Sequence, residues 1–257
     1  MNPSVKAIIA VDWGGRSCDY DALKTIVSAT AALSWKFTTA QIIQDAAHCL
    51  YIGQSHGDYV CWSFGPIKHL TCGGYGGAIL PPDDQYERAK LLRWHGLDRT
   101  SKEDFRCSQD IIESGYRYHM TDDQASVGLA NLGVAQKSVE LARKNAAWYC
   151  EAFKDVPGIK VPEFDPMSNY WIFTIIVYDR EGLKDCLSRN GIGASQVHAR
   201  NDKHTAFRRA TARQDGLLKG VEYFDNHQLS IPVGAWVTEE ERDNIAKIVI
   251  NYARNSW

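Results

Sequence analysis

No run among the 257 residues is apolar for long enough to cross a bilayer, which takes about 20 residues in a helix. The opening Met1-Asn2-Pro3-Ser4-Val5-Lys6 is followed by no apolar segment of the kind an export signal carries. The expectation is a cytoplasmic chain, neither exported nor embedded. A basic excess is missing too: 29 Lys and Arg stand against 31 Asp and Glu, a net charge of −2. Neutralising many phosphates needs a clear positive excess, so a general nucleic-acid binder is excluded. Seven cysteines, Cys18, Cys49, Cys61, Cys72, Cys107, Cys150 and Cys186, are odd in number and never spaced C-x-x-C. Neither a disulfide framework nor a zinc site is signalled, and reduced thiols fit the same compartment. Internal repeats and low-complexity tracts are absent as well.

What is there, 44% hydrophobic and 23% charged, is ordinary for a globular chain with room for one large or two modest domains. Residues 6–11 read as a short strand, apolar on both faces and therefore expected to have neighbours on both sides, with Asp12-Trp13-Gly14-Gly15 at its end. Asp12 and Trp13 are either pocket residues or a cap and a packed indole. Behind Asp19, a candidate N-cap, Leu23, Ile26 and Val27 recur at helical spacing, and residues 41–45 form a second apolar run. Strand, helix, strand is a βαβ unit with a right-handed crossover. Residues 35–39 carry no readable pattern.

The stretch that organises the chain is Ser63-Phe64-Gly65-Pro66-Ile67-Lys68-His69-Leu70-Thr71-Cys72-Gly73-Gly74-Tyr75-Gly76-Gly77. It sets one lysine in a turn between the apolar runs 59–64 and 78–80, ahead of four glycines, where small residues let backbone and ligand approach closely. If runs 41–45 and 59–64 are strands of one sheet, Asp45 and Lys68 emerge at neighbouring strand ends, the edge where open α/β sheets bind ligands. On the residues alone, Lys68 is either a solvated lysine or an amine facing a carboxylate in a pocket. Asp45 is either that carboxylate or a cap for the segment from Ala46.

Farther on, Pro81-Pro82 stops a strand, residues 83–94 read as a helix, and residues 95–111 as a loop over the site. Thr121-Asp122-Asp123-Gln124 is a capping box for a short helix that Gly133 interrupts, with a longer helix to residue 153. A domain boundary is expected near residue 150, before Asp155-Val156-Pro157-Gly158. Beyond it come a strand over 169–178, a helix over 181–189 closed by Asn190-Gly191, an extended Gln196-Val197-His198 and a strand at Leu229-Ser230-Ile231-Pro232. Thr238 to Glu241 caps a last helix whose Ile245, Ile248, Val249 and Tyr252 make one apolar stripe. The basic cluster Arg208, Arg209, Arg213 is either a solvated helix face or a place for a sugar diphosphate.

Asp45-Ala46-Ala47-His48, with Ser63-Phe64-x-x-x-Lys68-x-Leu70-Thr71-x-Gly-Gly-x-Gly-Gly, resembles the core signature of the DegT-type nucleotide-sugar aminotransferases, pyridoxal-phosphate enzymes of fold type I. The likeness continues through Gly115-Tyr116-Arg117-Tyr118-His119-Met120-Thr121-Asp122, Gly128-Leu129-Ala130-Asn131-Leu132, Gly191-Ile192-Gly193 and Leu229-Ser230-Ile231-Pro232, in order along the whole chain. It implies an α/β fold. Residues 1–150 would form a partial cofactor-binding large domain, a mostly parallel sheet with helices on its faces, and residues 151–257 a small C-terminal α+β domain. Family members usually carry an earlier segment with a Gly-Thr-Ser/Ala turn for the cofactor phosphate and a ring that stacks on the pyridine. The chain looks like the C-terminal part of such an enzyme, with a non-catalytic remnant or one half of a split aminotransferase as the alternative.

The resemblance implies transfer of an amino group from a donor such as glutamate to a keto-sugar nucleotide, with no nucleic acid, membrane or metal involved. Lys68 would be the catalytic amine that forms the Schiff base; the related dehydratases have histidine there. Asp45 would keep the pyridine nitrogen protonated, making the ring an electron sink. His48 would sit at the phenolic oxygen, or else be a buried histidine satisfied by backbone, and Ser63 would hold the phosphate. Arg117 occupies the position of an asparagine that crosses a dimer interface to the partner's cofactor phosphate, which implies a homodimer with composite sites. His198 would touch the substrate. A hydrolase using Cys49 or Cys61 finds no oxyanion turn or third partner in its support.

Overall fold

The computed structural model describes residues 5–32, 40–50, 55–101, 108–207 and 218–255. They belong to two compact units, Met1–Gln136 and Lys137–Trp257. No helix among the described residues is long and apolar enough to cross a membrane.

In the first unit, β1 (Ala7–Val11), α1 (Tyr20–Ala32) and β2 (Gln41–Asp45) form the expected parallel βαβ unit, with Ala7 opposite Gln41 and Val11 opposite Asp45. Asp19 caps α1, its Oδ1 accepting from Ala22 N at 2.9 Å. β3 (Tyr59–Ser63) extends the sheet in parallel. β4 (Gly77–Leu80) returns antiparallel, because the glycine-rich turn that joins it to β3 contains no crossover helix.

Strand alternation sorts the sheet's side chains onto two faces. Ala10 and Ile42 lie on one, sealed by Tyr20 and Val27 of α1, with Val60 buried on the same side. The other face carries Ile9, Val11, Asp45, Cys61, Ser63 and Ile79, and it is open: Ile9 is 65% exposed and Ile79 56%. The expectation that β1 is buried on both sides therefore fails on this face. Apolar residues on both faces of a strand record what the strand can bury, and here only the α1 side is buried.

After Pro81-Pro82, one 3-10 turn (Asp83–Gln85) leads into α2 (Tyr86–Arg93). α3 (Asp122–Phe153) opens with the expected capping box: Gln124 N donates to Thr121 Oγ1 at 3.3 Å and Thr121 N to Gln124 Oε1 at 3.1 Å. The expected break at Gly133 does not occur. A Cβ there would meet nothing within 4 Å, so Gly133 costs the helix only its weak propensity, and 32 continuous residues carry it.

The second unit holds an antiparallel sheet of β5 (Ile159–Lys160), β6 (Phe173–Val177) and β7 (Gln228–Ile231), with helices α4 (Arg180–Arg189), α5 (Lys219–His227) and α6 (Glu239–Asn255). Its core joins Phe173, Ile175, Leu229, Leu183, Leu187 and Val249 to Ala146, Tyr149 and Phe153 from the last turns of α3. The strand expected from residue 169 begins only at Phe173, since Tyr170 takes φ +45 and breaks the extension. Residues 196–198 form no strand: Val197 takes φ +60, and only Ser195 pairs, with Ser230. Gly191, at φ +74, closes α4 as expected, and Thr238 and Glu241 cap α6 reciprocally at 3.2 and 2.8 Å. α5 and β5 were not anticipated. Residues 35–39, Cys107, Arg208, Arg209 and Arg213 lie outside the described residues.

Candidate active site

β2 and β3 end side by side. Asp45 closes β2 opposite Cys61, and Ser63 closes β3 opposite Gly77. The chain then doubles back on itself: Lys68 N donates to Gly65 O at 3.1 Å, Phe64 N to Gly76 O at 2.7 Å and Cys72 N to Phe64 O at 3.1 Å. Two amides on the first half of α3 fasten the turn, Asn131 Nδ2 to Thr71 O at 3.0 Å and Gln124 Nε2 to Tyr75 O at 2.8 Å. A Cβ on Gly77 would meet Trp62 O at 2.4 Å, so glycine is required where β4 closes on β3.

Lys68 is half-buried in this turn. Desolvation is the larger influence on its amine and lowers the pKa below that of an ordinary lysine; the Asp45 carboxylate pulls the other way. Asp45 also raises the Cys61 thiol, behind a larger push from burial. One carboxylate thus acts on both groups. Asp45 Oδ1 accepts from Ala47 N at 3.0 Å, and Oδ2 has no hydrogen-bond partner among the described residues, so capping and facing Lys68 are compatible.

His48 is buried, and its Nδ1 accepts from Gly14 N at 3.1 Å, which leaves Nε2 to carry the proton of the neutral ring. Ser63 Oγ accepts from Gly65 N at 3.3 Å and keeps its own proton to donate. Asp45, His48, Ser63 and Lys68 therefore gather around the ends of β2 and β3. Arg117 is exposed on a stretch that pairs with Trp94 beside α2. His198 belongs to the second unit, where its ring lies 6.3 Å from that of Trp171 and its carbonyl accepts from Gln228 Nε2 at 3.3 Å.

Two features escaped the sequence reading. Asp12, left between pocket and cap, is wholly buried and accepts from three donors. Beside α2, Trp94 and His119 meet edge to face with ring centroids 3.8 Å apart, and the Arg99 guanidinium lies 4.6 Å over the Trp94 ring. Desolvation, then Arg117, Arg99, His95 and Arg93, lower the His119 pKa. Arg93, Arg99 and Arg117 form no ion pair among the described residues. The basic and aromatic residues bunched at 93–99 and 117–119 were the available signal.

The pattern of the DegT/DnrJ/EryC1/StrS aminotransferase family matches residues 1–250. The chain belongs to this family. Among solved structures, AtS13 from Actinomadura melliaura superposes with a TM-score of 0.88 at 33% identity, over 100% of this chain and 68% of its own. The sugar aminotransferase CalS13 from Micromonospora echinospora gives 0.88 at 28% identity, over 98% of this chain and 68% of its own. The spore coat polysaccharide biosynthesis protein SpsC of Bacillus subtilis is 23% identical over 97% of this chain and 67% of its own. The chain spans about two thirds of the length of the relatives it matches. Its sheet and small second unit are those of a fold-type-I DegT-family member.

DegT-family aminotransferases depend on pyridoxal phosphate, and the residues here fit that group. Lys68 supplies an amine whose pKa is lowered, Asp45 Oδ2 an open acceptor for a ring N–H, and Ser63 an uncommitted hydroxyl for a phosphate oxygen.

Proposed function

We propose that this chain acts, through Lys68, as a pyridoxal-phosphate aminotransferase that moves an amino group from an amino-acid donor such as glutamate to a keto-sugar nucleotide. It would act in the cytoplasm as a homodimer with composite sites, with residues 1–150 holding the cofactor and 151–257 forming the small domain. The observation that carries the reading is the half-buried Lys68 amine opposite Asp45 at adjacent strand ends.

When bound, the cofactor supplies an electron-withdrawing ring that eases loss of a proton from the carbon bearing the amino group. Lys68 Nζ, whose proton desolvation makes easier to lose, takes that proton and returns it. Asp45 Oδ2 holds a proton at the ring nitrogen. Ser63 Oγ donates to the phosphate, and the Nε2–H of His48 orients the ring's oxygen. Arg117 meets the phosphate on the partner subunit, and His198 the sugar. Arg93 and Arg99, which form no ion pair among the described residues, support an anionic substrate.

The test is the visible spectrum of the purified chain with added pyridoxal phosphate, beside Lys68→Ala. A yellow band in the parent alone, bleached by glutamate, is expected. No band in the parent, or an equal one in Lys68→Ala, would refute the reading.

A further inference from the structure

We propose that Asp12 is a positioning residue: its carboxylate locks the turn after β1 so that the Gly14 N–H holds His48 as the Nε2-protonated tautomer. The role of the pocket rests on the function proposed above; the lock itself can be examined without any cofactor.

Asp12 is wholly buried, and every partner of its carboxylate among the described residues is a neutral donor. Oδ1 accepts from Tyr20 Oη at 2.8 Å and Cys18 N at 2.9 Å, and Oδ2 from Gln44 Nε2 at 2.7 Å. α1, the loop before it and β2 each contribute one. Full hydrogen bonding is what makes a buried carboxylate tolerable without a cation. Burial first, and Asp12 second, raise the Tyr20 hydroxyl far above its ordinary pKa, so it remains a donor. The other end of the buried Gln44 side chain is spent, since Oε1 accepts from His56 N at 2.9 Å and Gly57 N at 3.4 Å on the way into β3.

The main chain of the same residue ties the turn to the pocket. Asp12 N donates to Asp45 O at 3.0 Å, Gly15 N to Asp12 O at 3.0 Å, and the Cys49 thiol to Asp12 O at 3.8 Å. Gly14 and Gly15 take φ +69 and +94, a conformation open to glycine, and this aims Gly14 N at His48 Nδ1, 3.1 Å away. An amide cannot replace the carboxylate. The NH2 group of an asparagine would face either Cys18 N–H and the Tyr20 hydroxyl or the Gln44 NH2. Flipping Gln44 to suit would turn its own NH2 onto the His56 and Gly57 amides.

The experiment is 15N NMR with amide exchange on the full cofactor-free chain at about pH 8, where an ordinary imidazole is neutral. The parent should show a coupling across the Gly14 N–H to His48 Nδ1 hydrogen bond, a Nε2-protonated ring and a protected Gly14 amide. Asp12→Asn should abolish the coupling and speed Gly14 exchange about tenfold or more, with Ile175 exchange in β6 unchanged. Tyr20→Phe, which removes a single donor, should give a smaller change in the same direction and decides the matter if Asp12→Asn does not fold. Absence of the coupling in the parent, or parental coupling and exchange in both variants, would overturn the proposal. A parent that binds no pyridoxal phosphate yet shows the coupling sinks the proposed function and leaves the lock standing.

Discussion

Adding one methyl group at Gly77 and one at Gly133 should move the protein in opposite directions. At Gly77 the new Cβ would lie 2.4 Å from Trp62 O, about an ångström inside ordinary contact, and the obstacle is backbone. β4 must draw away from β3 where Phe64 N bonds Gly76 O at 2.7 Å. Overpacking of this kind costs about 1–3 kcal/mol, and loss of that hydrogen bond adds about 1. The sum, about 2–4 kcal/mol, is a roughly 30- to 700-fold rise in opening of β3. At Gly133 the methyl meets nothing within 4 Å and gains about 0.5–1 kcal/mol of helix propensity. Hydrogen exchange reads both: β3 amides such as Val60 should exchange faster in Gly77→Ala while those of β6 hold, and α3 amides should slow in Gly133→Ala. Because Lys68 hangs from the same turn, Gly77→Ala should also weaken the yellow band with pyridoxal phosphate. A Gly77→Ala protein within about 0.5 kcal/mol of the parent would refute the close-approach argument.

Lys68→Arg keeps the positive charge beside Asp45 but cannot release its proton near neutral pH, so it should fold like the parent and form no yellow band; a band of parental strength would point to another amine. Asp45→Asn removes the influence that raises the Lys68 pKa, so the amine titrates lower still and more is free base at a fixed neutral pH. Trinitrobenzenesulfonate labelling of Lys68 should quicken, and so should alkylation of Cys61, whose thiol loses an upward push; slower labelling of both would reverse the sign. Asn145 spends its buried Nδ2 on Val233 O and Val237 O, each at 3.2 Å, so Asn145→Ala should destabilise the second unit by about 1–3 kcal/mol, read from denaturant exchange of β7 amides.

Much of the site was legible because it is local in sequence. The Asp45 and Lys68 segments sit on consecutive parallel strands, so knowing the strands places both residues at one edge. The caps at Asp19, Thr121 and Thr238 were readable for the same reason: donor and acceptor lie three residues apart. The bond from Gly14 to His48 spans 34 positions, and that from Gln44 to Asp12 spans 32, with nothing in either neighbourhood to announce them. Positive φ at Tyr170 and Val197 was equally hidden, because neither residue type favours that region, and it shortened one expected strand and cancelled another. Gly133 misled the other way, since an isolated glycine in a long helix weakens it without ending it.

The open side of the first sheet has a practical meaning at the bench. Among the described residues β1 is an outer strand, its sequence is Ala-Ile-Ile-Ala-Val, and it carries no charge, proline or bulge to discourage another strand from adding to it. Concentrated solutions of the chain should therefore scatter light increasingly with time. A lysine introduced at Ile9, on the bare side of that strand, should be the mildest change that keeps the protein dispersed for spectroscopy.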